Sequence, residues 1–455
     1  MDVLLEVDLS GGRWRGVEQA LRAAIRHGRL AAGEALPSTR QLAADLGLAR
    51  GTVVDAYDQL VVEGYLVAWP GGRTVVAATV PAPASPAAAA PPAPPRVDLR
   101  AGAPDLSMFP AGDWVRAVRS VLRDGPPGAL DYTGPCGRAE LRAALAGYLA
   151  RARGVVAAPD QVVVCSGVDD ALGLLARALA ATGRATVAME DPCLAFHRTI
   201  VERAGAVIAP VPVDGQGVDV GALAGSGAGA AVVTPARQAV VGSTLAPERR
   251  GALVAWARRC DAVVIEDDYD GELRYDRQPI GAVHGLDPAR VAYLGTTSKS
   301  LAPGLRLAWL VVPPPLAAAV DGVLGPHSSV SSLDQLALAA LVRSHALDRH
   351  LRRARAAYRA RRDVFVAALA AQAPRVRVEG VAAGLHALVR WSGGASEEDV
   401  LAEAAARGIG VTPVGPTWHG EARFAGLLVA YGRPPAHHAR RCFEAFAALM
   451  ADVTG

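Results

Sequence analysis

Lysine is almost missing from this chain. Among its 47 Lys and Arg residues, Lys299 is the single lysine. A coding preference accounts for an arginine-rich surface, since either cation serves on a solvated face, but it leaves the one exception unexplained. The two residues stop being interchangeable where the amine must shed its proton and act as a nucleophile. A guanidinium, with a pKa above about 12, stays charged, whereas a desolvated ammonium can become an amine and form a Schiff base. Other absences narrow the field. The five cysteines, Cys136, Cys165, Cys193, Cys260 and Cys442, are far apart and form no C-x-x-C, which favours reduced thiols over a zinc site. Apolar runs such as "LAWLVVPPPLAAAV" are broken by proline and too short to cross a bilayer. The opening "MDVLLEVDLSGG" lacks the basic and apolar regions of a signal peptide, so a cytoplasmic protein is expected. A large charge excess is missing too: the net charge is +3, and residues 1–80 hold eight Arg against nine Asp and Glu. Bulk charge therefore gives no argument for a nucleic-acid partner.

The 455 residues allow two or three domains. Residues 78–97, "ATVPAPASPAAAAPPAPPRV", carry seven prolines and a single charge, Arg96. Such a segment cannot build a core and reads as a semi-rigid linker between a small unit, 1–77, and a large one, 98–455. In the large unit, short β-branched runs at 161–165, 185–191, 206–214, 229–235, 262–268 and 291–298 alternate with amphipathic helices. That pattern predicts an α/β domain with a mainly parallel sheet covered on both faces. From about 335 onward helices dominate, and a smaller α+β subdomain is expected at the C-terminus.

In the small unit, "LPSTRQLAADLGLARGTVVDAYDQLVVEG" predicts two helices. The first is capped by Ser38 or Thr39 and runs to about Leu46; the second begins near Ala49–Arg50 and ends at Gly64. Gly47 supplies the turn between them, as in a helix-turn-helix whose second helix enters the major groove. "YLVAW" and "RTVVA" around "PGG" predict a β-hairpin, hence a wing. Residues 15–77 resemble the winged helix-turn-helix of the GntR superfamily of bacterial transcription regulators. The match runs through "LPSTRQLAADLG", the Arg-x-Thr-Val at 50–53 and "YDQLVVEGYL". The resemblance implies double-stranded operator DNA as partner, with Arg40, Arg50, Thr52, Gly71 and Arg73 as its contacts.

Around Lys299, "VVIEDDYDGELRY" (263–275) is a strand ending in carboxylates and a tyrosine, and Arg306 lies seven residues downstream. A nucleophilic lysine, an acid at a strand end and an arginine able to grip a phosphate together suit pyridoxal 5′-phosphate (PLP). "VVVCSGVDDALGLL" adds a helix N-terminus suited to a phosphate. These segments, with "DLRAGAPDLSMFP", "LDYTGPCGRAELRAALAGYL" and "GTTSKSLAPGLRLAWLVVP", resemble the fold-type I PLP aminotransferases. The whole chain is similar to the MocR/GabR regulators, in which a GntR-type reader is fused to an aminotransferase-like domain. By that resemblance Lys299 forms the internal aldimine and Asp267 pairs with the pyridine nitrogen, with Asp268 as the alternative one residue along. Tyr269 approaches the ring hydroxyl, and Arg306, Thr296, Ser166 and Gly167 hold the phosphate.

Several positions depart from the family pattern. Asp169 and Asp170 replace glutamines, and Leu194 stands where a ring-stacking aromatic is usual, with Phe196 nearby. "ARQAVVG" carries Arg237 and no proline. For an effector carboxylate the nearest candidate is Arg423, with Arg433 second. The expected protein is a regulator sensing a small amine, an amino acid or PLP itself, built as a head-to-tail homodimer. An active aminotransferase with an accessory DNA-binding domain is the alternative.

Overall fold

The computed structural model describes residue 7 and residues 12–69, 72–78, 94–275 and 280–455. Two compact units, Met1–Ala93 and Pro94–Gly455, make up the chain. In the first, an amphipathic helix (Arg13–Arg26) buries Val17, Leu21, Ala24 and Ile25 against Thr39–Asp45 and Arg50–Val62. Ser38 caps the second helix, its hydroxyl accepting the Gln41 N–H at 3.2 Å. Gly47, at φ +65°, makes the turn into the third helix. Leu66–Val67 and Val75–Val76 then pair antiparallel as the hairpin. Gly71, expected at the wing tip, lies outside the described residues.

The second unit is built on an eight-stranded sheet. Its spatial order is Val162–Cys165, Ala308–Val311, Val291–Thr296, Val263–Asp267, Ala230–Val233, Thr186–Asp191, Val207–Asp214, Gly217–Val218. From Val291–Thr296 to Val207–Asp214 every neighbouring pair is parallel. The sheet is mainly parallel, as expected; Ala308–Val311 runs antiparallel to both its neighbours and Gly217–Val218 antiparallel to Val207–Asp214. Side chains alternate between two cores, so Val263 and Ile265 pack on one face and Val264 on the other. Both faces are covered, which is why these strands read as unbroken apolar runs.

The smaller subdomain has its own sheet, ordered Val376–Glu379, Ala387–Trp391, Leu427–Val429, Thr412–Pro413. Leu99 belongs to its core, and Val97–Asp98 pairs with Ile409–Gly410. The expected linker end at 97 therefore falls inside a strand of the second unit. Helix Ser332–Arg343 packs with the large core, and Ala346–Gln372 crosses from that core (Leu347, Leu351) to the small one (Phe365, Leu369). Two arginines of the 349–362 run serve this docking: Arg361 reaches the buried Asp105 at 2.6 Å, and Arg355 bonds the Glu272 carbonyl at 2.9 Å, while Arg352, Arg353 and Arg359 are exposed.

Candidate functional site: a lysine cavity at the strand ends

The C-terminal ends of the parallel strands open on a cavity of about 490 Å³ between the large and small sheets. Such strand ends are where open α/β sheets bind ligands. Strand Val263–Asp267 presents Asp267 on the face of Val263 and Ile265, at the cavity wall. Lys299 follows strand Val291–Thr296 by three residues, in a turn held by Thr296, whose Oγ1 accepts the Ser298 N–H at 3.1 Å. Its Nζ donates to the Gly102 carbonyl at 2.5 Å. Burial lowers the Lys299 pKa from its ordinary value, against the opposing pull of Asp267 and Asp270. That is the direction a nucleophilic amine needs.

Asp267 is buried, and its Oδ1 has no hydrogen-bond partner. Burial, then the charge of Asp268, pushes its pKa up to about 8. The nearest imidazole, His197, stands 3.9 Å from Oδ2, and its own burial lowers its pKa to about 4, so it offers no compensating charge at neutral pH. An orphaned carboxylate oxygen at the cavity wall fits a protonated ring nitrogen, which would supply both the donor and the missing cation. The alternative acid, Asp268, is committed elsewhere. Arg153 grips it at 2.6 and 3.1 Å, and the Tyr293 hydroxyl donates to it at 2.7 Å.

Tyr269 also lines the cavity, its hydroxyl accepting a bond from Arg237 Nη1 at 2.9 Å. Burial holds this phenol well above its ordinary pKa despite the guanidinium, so it remains an O–H donor. Arg237 is buried as well, paired with Asp270 at 3.1 Å and bonded to the His386 carbonyl. Arg306 occupies a left-handed backbone position, φ +51°, at the cavity edge. Its Nη2 donates to the Ser166 carbonyl at 2.6 Å. Gly167 opens helix Val168–Ala181 at φ +91°, a backbone conformation that favours glycine, and the Arg306 guanidinium lies close against it.

Lys299, Asp267, Tyr269, Thr296 and Arg306 thus line one cavity. Ser166 and Gly167, expected at the phosphate, are not among the lining residues: the Ser166 N–H is taken by Asp170 at 2.8 Å and its carbonyl by Arg306. Neither proposed carboxylate arginine reaches the cavity. Arg423 is exposed, its guanidinium 5.6 Å from the Trp418 ring centroid, and Arg433 pairs with Asp98 at 2.9 Å. The wall there is apolar, made of Leu385, Leu428, Ala239 and Pro413. From "PTWHGE", Pro416 and Thr417 line the cavity while Trp418 packs into a separate cluster. Arg198 fastens this loop by bonding the Thr417 and Pro416 carbonyls at 2.6 and 2.8 Å. His197, Asp270 and His386 were not singled out from sequence. Asp270 stands within "VVIEDDYDGELRY" beside Tyr269 and His197 follows Phe196, whereas no sequence signal pointed to His386.

In the first unit, Arg40 and Arg73 are exposed and Thr52 is half-buried. Arg50, exposed at the start of helix Arg50–Val62, donates weakly to Thr39 Oγ1 at 3.4 Å. A helix N-terminus carrying exposed arginines is a ready phosphate contact.

A fold-type I aminotransferase architecture preceded by a winged helix-turn-helix is the class these features define. Residues 14–76 match the family of bacterial regulatory proteins, gntR family, and residues 95–422 match aminotransferase class I and II. The chain belongs to the MocR-type transcriptional regulators, which join these two domains. It is 33% identical to the probable rhizopine catabolism regulatory protein MocR of Rhizobium meliloti, over 94% of this chain and 92% of that one. It is also 33% identical to the pyridoxine biosynthesis transcriptional regulator PdxR of Corynebacterium glutamicum, over 91% and 90%. In fold, the second unit is similar to an archaeal alanine:glyoxylate aminotransferase. That likeness has a TM-score of 0.71 at 24% identity and covers 78% of this chain and 91% of that one. Among the described residues, no helix is long and apolar enough to cross a membrane.

Proposed function

We propose that this regulator binds operator DNA through its first unit and PLP in the cavity of its second, and that the cofactor itself is the signal. The observation that carries the cofactor reading is the unpartnered Asp267 Oδ1 beside the chain's single lysine. When bound, PLP supplies an aldehyde for the Lys299 amine and a pyridine nitrogen for Asp267. Tyr269, which keeps its proton and is oriented by Arg237, would be the donor available to the ring hydroxyl. Thr296 holds the turn that aims Lys299, and Leu194 and Phe196 cover the cavity from the helix side. Burial keeps the Lys299 amine poised to lose its proton.

The apolar wall of Leu385, Leu428, Ala239 and Pro413 supports reading PLP, rather than an amino acid, as the effector, because an amino-acid carboxylate finds no arginine there. The similarity to a pyridoxine biosynthesis regulator points the same way. Exposed apolar side chains at Leu106, Val115, Leu122, Leu130 and Tyr132 support a homodimer, head-to-tail as the family resemblance implies, in the cytoplasm where the DNA lies. A signal requires that PLP favour one arrangement of the protein over another. The test is to select genomic fragments that bind the full chain, then titrate them with and without PLP. Fragment affinity should change at least about five-fold with PLP in the wild type, and not at all in Lys299→Arg. Equal affinities in the wild type would remove PLP as the signal.

A further inference from the structure

Arg306 is the cation at the cavity edge suited to an anionic group, and it already holds one. Its Nη2 lies 2.6 and 2.7 Å from the two oxygens of Asp169. Asp170, the next residue, is turned away, accepting the Ser166 N–H at 2.8 Å and the Ser329 hydroxyl at 3.4 Å. Of the two acids, only Asp169 lines the cavity. The Asp169 and Arg306 side chains are 48% and 49% exposed, so the pair is solvated and free to exchange. Both groups lie close to Gly167, where a Cβ would stand 2.5 Å from Asp169 Oδ1 and from Arg306 Nη2.

We propose that Asp169 is a built-in competitor for Arg306, which a phosphate-bearing ligand must displace. This rests on the reading that PLP enters the cavity, and adds which residue makes its binding reversible. A phosphate dianion must push the carboxylate off Arg306 or sit beside it against like charge. Pyridoxal, the same aldehyde without phosphate, meets neither obstacle. Asp169 therefore weakens the phosphorylated ligand selectively, and keeps the cavity responsive to free PLP instead of permanently filled.

Binding of PLP and of pyridoxal to the purified full chain, followed by absorption of the bound aldehyde, tests this directly. Asp169→Asn should tighten PLP by about 10- to 100-fold, the scale of one like-charge contact in a partly screened site, and leave pyridoxal within about two-fold. Asp169→Glu keeps the competing charge and should stay within about three-fold of wild type for both ligands. Unchanged or weaker PLP binding in Asp169→Asn, or equal tightening of both aldehydes, would overturn the proposal. If neither aldehyde binds wild type or variant, the cofactor reading falls and takes this inference with it. The two failures are thus told apart by whether any aldehyde binds at all.

Discussion

At its inner end the cavity is framed by Asp267 and Tyr269, both buried, with the Arg153–Asp268 pair packed behind them. At its outer edge stand Arg306 and Asp169, each about half exposed. Charge behaves differently in these two settings. Inside, an unpaired carboxylate has no water to turn to, and burial pushes Asp267 up to about 8. At the edge, solvent screens the pair and lets it open at little cost. One end demands a complementary ligand atom, and the other regulates access to its own cation.

The sharpest break of this contrast is at Lys299. Lys299→Arg keeps the charge but cannot add to an aldehyde, so borohydride-trapped PLP should vanish completely while DNA fragments are still retained. Next come the ion pairs themselves. Arg153→Met leaves Asp268 buried and unpaired and should cost about 3–5 kcal/mol in denaturant unfolding. Arg306→Met at the half-exposed edge should cost under about 1 kcal/mol. Similar losses at both sites would erase the distinction between the two ends.

A smaller effect should appear in the pH dependence. Because the folded pKa of Asp267 lies above the ordinary carboxylate value, the folded protein holds more protons than the unfolded one between about pH 4 and 8. Stability of the cofactor-stripped chain is thus greatest at the acid side of that window and declines as pH rises through it. Asp267→Asn should flatten the decline by at most about 1.4 kcal/mol per pH unit. Glu266 and Glu272, pushed up to about 7 by burial, and Asp270 and Glu190, also raised by burial, remain in the variant and contribute to the residual slope. Parallel profiles for variant and wild type would show that Asp267 does not carry the buried charge.

Much of this was legible because the carrying features are local. The helix-turn-helix depends on a cap at Ser38, a turn at Gly47 and an apolar stripe, all within reach of one another in sequence. The strand ends bearing Asp267 and Lys299 were readable from the apolar runs preceding them. What escaped depends on distance in the chain. The direction of Ala308–Val311 is not encoded in its composition, since a buried antiparallel strand is as apolar as a parallel one. Val97 joins the second unit through a pairing with Ile409, invisible in a proline-rich stretch. Arg237 looked like an oddity until Tyr269, Asp270 and His386 surrounded it. Proximity in sequence also misled: Arg423 and Arg433 lie near strand Leu427–Val429, yet Leu428 is what that strand turns to the cavity.

The central claim is that the single lysine is kept for imine chemistry, and one measurement meets it head on. The purified protein is mixed with PLP, its visible spectrum recorded, the mixture reduced with borohydride and the adduct mapped by peptide mass spectrometry. The account predicts a yellow protein with a stable adduct on Lys299, formed at about one equivalent per chain. A colourless protein that traps no PLP, yet still retains DNA fragments, would contradict it and leave the second unit as a scaffold.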